Sequence, residues 1–255
     1  MTQDIQVKVL SQLLNTAELM LSCGAEINRV EDTVTRIGTA YGASQINVFV
    51  ITSSAVITIL FPDREPLTQT RRIRSGGRID FYKLEKINAL SRACCREFMP
   101  IEQFSAELEQ IRQIQSKPLL LYLGSMLAAG SFSIFFGGTV ADGVAAAGIA
   151  LLLCLFQTRF SKYLTNLVAA NLIDSFLTGL CICLLTRILP FLNMDLIMIG
   201  DIMLLIPGIA ITNAMRDIFA GDTISGILRL IEALLVAGTL AVGFMAAIWL
   251  IGGRS

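Results

Sequence analysis

The stretch Gly200–Ala233, GDIMLLIPGIAITNAMRDIFAGDTISGILRLIEA, decides how this chain is read. It is an apolar run into which Asp201, Arg216, Asp217, Asp222, Arg229 and Glu232 have been set. A charge at the centre of a bilayer is unfavourable by about 2.5–3.5 kcal/mol on insertion scales. Charges kept in such a run therefore face protein or water rather than lipid. At 3.6 residues per turn, Asp222, Ser225, Arg229 and Glu232 fall on one stripe, and Asn213, Arg216 and Asp217 share a face just upstream. Pro207-Gly208 interrupts the first apolar segment, because proline removes a backbone hydrogen bond and clashes with the preceding turn. A broken helix frees backbone groups to meet a ligand. The stretch reads as a polar site inside a membrane bundle. The plainer alternative makes Asn213–Thr223 a solvated loop between two spans, and Arg229/Glu232 a structural i, i+3 ion pair. Snorkelling accounts for Arg229 better than for Glu232, which lies ~15 Å of helical rise beyond Asp222.

Outward from this stretch, the chain divides near Pro118. Of 255 residues 54% are hydrophobic, and the runs of about 20 apolar residues all follow that point. Residues 1–117 hold 14 of the 20 Lys/Arg and 13 of the 20 Asp/Glu, so they read as a soluble domain with its own small core. The expected fold class is an α-helical polytopic membrane protein of about five transmembrane helices, preceded by a small cytosolic α+β domain. Domain boundaries are expected at 1–117 and 118–255. A formal net charge of zero argues against nucleic acid as a partner. The absence of histidine removes His-activated nucleophiles and most zinc sites. Neither a metal nor a cofactor is expected. The six cysteines read as reduced, with no metal-ligand spacing, and Cys94-Cys95 as helix packing. MTQDIQVKVL lacks the form of a cleaved signal peptide, which keeps the first half in the cytosol.

In that half, helical spacing covers Asp4–Cys23, and Gly24 stops the helix. A second helix is expected over Asn28–Tyr41, with Glu31 and Asp32 in its first turn. Strands are expected at Gln45–Ser53, Ala55–Phe61 and Leu67–Arg74. Arg71, Arg72, Arg74 and Arg78 flank Ser75-Gly76-Gly77, but the phosphate-loop pattern is absent. They read as edge charges near an anionic leaflet. Asp80 caps a helix to Phe98, and another runs over Ile101–Gln115.

Five spans are expected: Leu119–Phe136, Val140–Phe156, Leu167–Leu189, Leu196–Ile211 and Ile224–Ile251. Lys117, Arg159, Lys162 and Arg216 put the first half in the cytoplasm of a multi-pass plasma-membrane protein. Asp142 reads as interfacial. Asn171 and Asp174 lie one turn apart, on a face that suits the same cavity as Asp201. A single five-span unit lacks the inverted partner of alternating-access transporters, which points to a second membrane protein or a second copy of this one.

Several segments together resemble the threonine/serine exporter family. They are Ala17-Glu18-Leu19-Met20, Gly24-Ala25-Glu26-Ile27-Asn28-Arg29-Val30-Glu31-Asp32, the Val48–Ile59 strands, and the helix bearing Leu84, Asn88, Leu90 and Arg92. The resemblance ends with Gly200-Asp201, Pro207-Gly208, Thr212-Asn213-Ala214, Arg216-Asp217, Gly221-Asp222, Ser225-Gly226, Arg229 and Glu232-Ala233. It implies the split form, in which a shorter multi-span subunit supplies the second half. It also implies proton-linked export of threonine and serine or of a dicarboxylate such as succinate. Substrate-binding positions are then Asp201, Thr212, Asn213, Arg216, Asp217, Asp222, Ser225, Arg229 and Glu232, with Pro207 and Gly208 as the helix break. An arginine, Arg216 or Arg229, would hold a substrate carboxylate, and an acid, Asp201 or Glu232, the coupling proton. A regulatory subunit is the alternative. Less favoured is an intramembrane aspartyl protease built on Asp174 and Asp201, since Met198-Ile199-Gly200-Asp201 lacks the first glycine of that motif.

Overall fold

The structure, a computed structural model, describes residues 3–73, 79–115, 118–160 and 166–252. The expected roles of Arg74, Ser75-Gly76-Gly77, Arg78, Lys117 and Lys162 lie outside the described residues. The chain is mostly helical and forms two compact units. One is Met1–Gln115 with Ile209–Leu230, the other Ser116–Gly208 with Ile231–Ser255.

In the first unit, helices α1 (Gln3–Ser22) and α2 (Ile27–Ala40) pack on an antiparallel meander. Its strands are β1 (Gln45–Ile51), β2 (Ser54–Leu60) and β3 (Leu67–Arg72), in the order β1-β2-β3. Register runs from Gln45 opposite Leu60 to Ile51 opposite Ser54, and from Ser54 opposite Arg72 to Ile59 opposite Leu67. Along β2 every second residue is buried, placing Ala55, Ile57 and Ile59 in the core, as a sheet with one covered face requires. Helices α3 (Phe81–Arg96) and α4 (Ile101–Gln113) follow, contributing Leu84, Ile87, Phe104 and Leu108 to one core with Leu10, Leu13, Leu14, Ile27 and Ile37. Asp80 caps α3 as expected, its carboxylate accepting from the Lys83 amide at 3.0 Å. Helix α2 starts at Ile27, one residue earlier than the spacing suggests. Glu31 and Asp32 therefore lie beyond its first turn, and Glu26 stands at the N-cap. Arg71 does not guard an edge: it turns back on α1, bonding Asn15 and pairing with Glu18 at 3.3 Å.

The second unit is built from α5 (Pro118–Phe135), α6 (Val140–Phe160), α7 (Leu167–Ile188), α8 (Met194–Leu205) and α10 (Thr223–Gly252) from Ile231 on. Helix α8 packs against α5, α6 and α7. Gly200 permits the approach to α5, since a Cβ there would lie 2.6 Å from the Ala129 carbonyl oxygen. Ile197, Met198, Ala129, Ala146, Ile149 and Ile182 form the shared core.

Among the described residues, three helices are long and apolar enough to cross a membrane: Val140–Arg159, Val168–Ile188 and Thr223–Ile251. Helices α8 and α9 (Gly208–Ala220) make a fourth if counted as one broken span. Leu119–Phe135 is a shorter apolar helix. Its 17 residues reach ~26 Å at 1.5 Å per residue, against a hydrocarbon core of ~30 Å. Helix α8 ends at Leu205 and α9 begins at Gly208, so Pro207 interrupts the helix where the sequence placed the break.

Candidate functional site

The charged stretch after Pro207 is a helical hairpin. Asn213–Ala220 is helix rather than solvated loop, and Asn213 and Asp217 are buried. Helix α9 ends in Gly221 at φ +102°, a conformation that glycine adopts without strain, and α10 starts at Thr223. The two arms lie close: a Cβ on Gly226 would sit 2.7 Å from the Ala214 carbonyl oxygen and 2.9 Å from the Ile218 nitrogen.

The polar face of this hairpin grips the turn between α1 and α2, nearly 200 residues earlier in the chain. Asn213 Nδ2 donates to the Gly24 carbonyl at 3.1 Å, and an Arg229 guanidinium nitrogen donates to the Ala25 carbonyl at 3.2 Å. A guanidinium nitrogen of Arg216 donates to Glu26 Oε1 at 2.6 Å. The Ile27 amide donates to Asp217 Oδ1 at 3.2 Å, while Asp217 Oδ2 lies 2.9 Å from Arg229. Four successive residues of the turn thus meet four side chains of the hairpin. Gly24 makes the turn possible, with φ +86° and no room for a Cβ beside the Ile79 side chain.

The remaining expected residues distribute unevenly. Ser225 is buried, Asp222 half-buried, and Thr212 exposed. Asp222 Oδ2 is buried without a hydrogen-bond partner. Its negative charge reaches Glu31 on α2. Burial pushes the Glu31 carboxyl above its ordinary range and the Asp222 charge adds to this, while the Val50 amide, donating to Glu31 at 3.3 Å, opposes it. Glu232 is exposed, and the ion pair of Arg229 is with Asp217 rather than with Glu232.

Asp201 belongs to the second unit and has a different environment. It is fully buried on α8, and both carboxylate oxygens lack a hydrogen-bond partner. The Ser133 hydroxyl, on the stretch of α5 against which Gly200 packs, is also buried and unpartnered. With no hydrogen-bond donor on either oxygen, nothing in its described surroundings compensates a negative charge on this carboxyl. Asp174 accepts instead from Gln157 Nε2 at 2.9 Å.

Two residues have partners that the sequence did not reveal. Glu26 follows a glycine turn at a helix start, which marks the turn but not its partner. Asp142, read as interfacial, lies in the first turn of α6 and is fully buried. It accepts from the Thr139 amide and hydroxyl at 2.9 and 2.8 Å, and from the Asn193 amide and side chain at 2.7 and 3.0 Å. It ties the start of α6 to the start of α8. Among the described residues, no group of three or more Cys, Asp or Glu is arranged to hold a metal ion.

Comparison with known proteins places these features in context. The family model described as "Putative threonine/serine exporter" (ThrE) matches residues 12–251. The chain is similar to "Probable succinate transporter subunit YjjP" of Klebsiella aerogenes, 24% identical over 94% of this chain and 93% of that one. The protein of the same name from Escherichia coli K12 is 23% identical over 92% and 91%. A "Probable threonine/serine exporter" of Mycobacterium tuberculosis is 22% identical over 94% of this chain but only 46% of its own length. No solved structure matches.

Proposed function

The chain belongs to the threonine/serine exporter family, and from that premise we propose that it is one subunit of a proton-coupled secondary transporter for small carboxylate-bearing metabolites. The observation that carries this reading is Asp201, a fully buried carboxyl with both oxygens unpartnered on an apolar helix. Burial without a hydrogen bond is unfavourable by several kcal/mol for a charged group. A residue of that kind on a helix that ends in a proline break suits a proton carrier better than a structural role.

In this reading α5, α6, α7, the α8–α9 pair and α10 are five spans, and residues 1–117 form a cytosolic domain. Asp201 loads a proton in one state and releases it in the other. The hairpin residues Asn213, Arg216, Asp217 and Arg229, with Thr212, Asp222 and Ser225 beside them, form the substrate-side gate. The gate is closed when the turn at Gly24–Ile27 is held, and its guanidinium groups are free to take a substrate carboxylate when the turn is released. Glu232 serves further along α10. A second, smaller membrane subunit supplies the complementary half. The M. tuberculosis relative, twice as long as the matched region, supports this division, and so does the word subunit in the names of the two YjjP relatives.

The test is efflux from proteoliposomes loaded with labelled threonine, serine or succinate, containing this chain alone or with a candidate shorter membrane subunit. Efflux that needs both proteins, is driven by a pH gradient and loses that dependence in Asp201→Asn supports the proposal. Folded protein that moves none of the three solutes in either arrangement refutes it.

A further inference from the structure

Resting on the transport reading above, we infer that one exposed seam of α10 is where a membrane helix of a different polypeptide docks, and that this helix brings a basic side chain to Glu232.

Helix α10 is the least covered of the three long apolar helices. Only 22% of its apolar stretch is buried within the chain, against 39% for α6 and 33% for α7. Its covered side meets α7, where a Cβ on Gly243 would lie 2.8 Å from the Leu172 carbonyl oxygen. On the uncovered side Glu232, Thr239 and Ala246 recur every seven residues, and Leu235, Val242 and Trp249 follow each of them by three. This is the spacing by which one helix packs along another in a left-handed pair. Five of the six are exposed, and Thr239 is half-buried. The Thr239 hydroxyl is already bonded to the Val236 carbonyl at 2.7 Å, so Glu232 is the polar group of the seam that lacks a partner.

Lipid can cover the apolar members of this seam but not the carboxylate. With Trp249 in the interfacial belt that tryptophan favours, a hydrocarbon core of ~20 residues reaches back to Arg229 and encloses Glu232. Arg229, one turn away, is held by Asp217 at 2.9 Å. Among the described residues Glu232 has no ion pair and no hydrogen bond. An acid at that depth pairs with a cation on a neighbouring helix, and no described helix of this chain supplies one.

A second copy of the chain does not fit the seam. Two copies inserted with the same orientation would meet along it as a parallel pair, Glu232 against Glu232. That like-charge contact disfavours self-association. A different span with Lys or Arg at the same depth satisfies the charge, and the single polar position fixes its register. At 100° per residue Leu234 and Met245 fall on the opposite margin of the exposed side; both are exposed and apolar, as a lipid-facing margin requires.

The experiment is co-purification, in mild detergent, of the tagged full chain with the candidate shorter membrane subunit, with efflux from the same pairs measured in parallel. It compares wild type, Glu232→Lys, Glu232→Gln and Ala246→Trp on the seam with Met245→Trp off it, each checked for an unchanged melting transition. We expect Glu232→Lys and Ala246→Trp to retain at least tenfold less subunit than wild type, and Glu232→Gln to retain an intermediate amount. Met245→Trp should stay within twofold. Changing the subunit's own intramembrane Lys or Arg to Glu should restore its retention by Glu232→Lys. Wild-type retention by both Glu232→Lys and Ala246→Trp overturns the inference, as does an equal loss in Met245→Trp. A chain that dimerises alone and cross-links through Val242→Cys also overturns it, since a second copy then fills the seam. Efflux that persists alongside any of these results would sink this inference and leave the transport reading standing. Absence of flux for every solute from the wild-type pair would sink the transport reading.

Discussion

The Arg229 guanidinium lies 2.9 Å from the Asp217 carboxylate, with 12% of the arginine side chain and 1% of the aspartate exposed. The same two side chains bind the turn, Arg229 through the Ala25 carbonyl and Asp217 through the Ile27 amide. The pair therefore joins the two arms of the hairpin and fixes both to the N-terminal helices. Removing one partner leaves a buried charge uncompensated, which is worth about 3–5 kcal/mol. Asp217→Ala should lower unfolding stability by that order. The double replacement Asp217→Ala/Arg229→Met should recover more than half of the loss. Thermal melts of the four proteins in one detergent close the cycle. Single and double variants equal to wild type would mean the pair carries no energy.

Asp142 accepts four hydrogen bonds from Thr139 and Asn193, and so joins two chain segments 51 residues apart. Asparagine at 142 offers one acceptor oxygen in place of two, and turns an NH2 group toward donors that already fill the other side. Hydrogen bonds to a charged group are worth about 1.5–3 kcal/mol each. Asp142→Asn should therefore lower the melting temperature by several degrees. Limited proteolysis should show faster cleavage in the loops before α6 and α8. A melt and digest identical to wild type would contradict this role.

Element positions were legible in the sequence because periodicity is local. The apolar spacing of Leu10, Leu13, Leu14 and Ala17 marks α1, and alternation marks Ala55, Ile57 and Ile59, whatever the rest of the chain does. Pro207 marks its break for the same reason. The partners of the charges were not legible. Helical spacing shows that Arg229 and Glu232 lie near one face, but not that the turn at Gly221 brings Asp217 within reach of Arg229. Nor does spacing reveal that the groups meeting Asn213, Arg216 and Asp217 come from residues 24–27. The number of spans was uncertain for a physical reason: Leu119–Phe135 is apolar enough to cross but short for a bilayer.

Thiol chemistry gives an independent check on the first unit. Cys95 is exposed on α3, whereas Cys23 and Cys94 are buried, and burial pushes both of their thiols above the ordinary range. Since the thiolate is the reactive form, a maleimide at pH 7.5 should modify Cys95 at least tenfold faster than Cys23 or Cys94. Peptide mass spectrometry over a time course reads this directly. Denaturant should equalise the three. Equal rates in the folded protein would mean that Cys23 and Cys94 are not buried as described.

Glu31 links α2 to the hairpin by charge, and its pH dependence has a definite sign. Burial, reinforced by Asp222, raises its carboxyl above the ordinary 4.5. The folded protein therefore holds the proton more tightly than the unfolded chain. The contribution is fully present below the unfolded value and is lost as pH rises through the folded one. At neutral pH the ionised carboxylate opposes folding. Glu31→Gln keeps an oxygen for the Val50 amide and removes the charge. The variant should melt above wild type at pH 7, and the gap should close as pH falls through the folded value and vanish below about pH 4. Asp222→Asn should narrow the gap at pH 7, because it removes the second cause of the shift. A gap that widens on acidification would reverse the sign and place Glu31 in a stabilising ion pair.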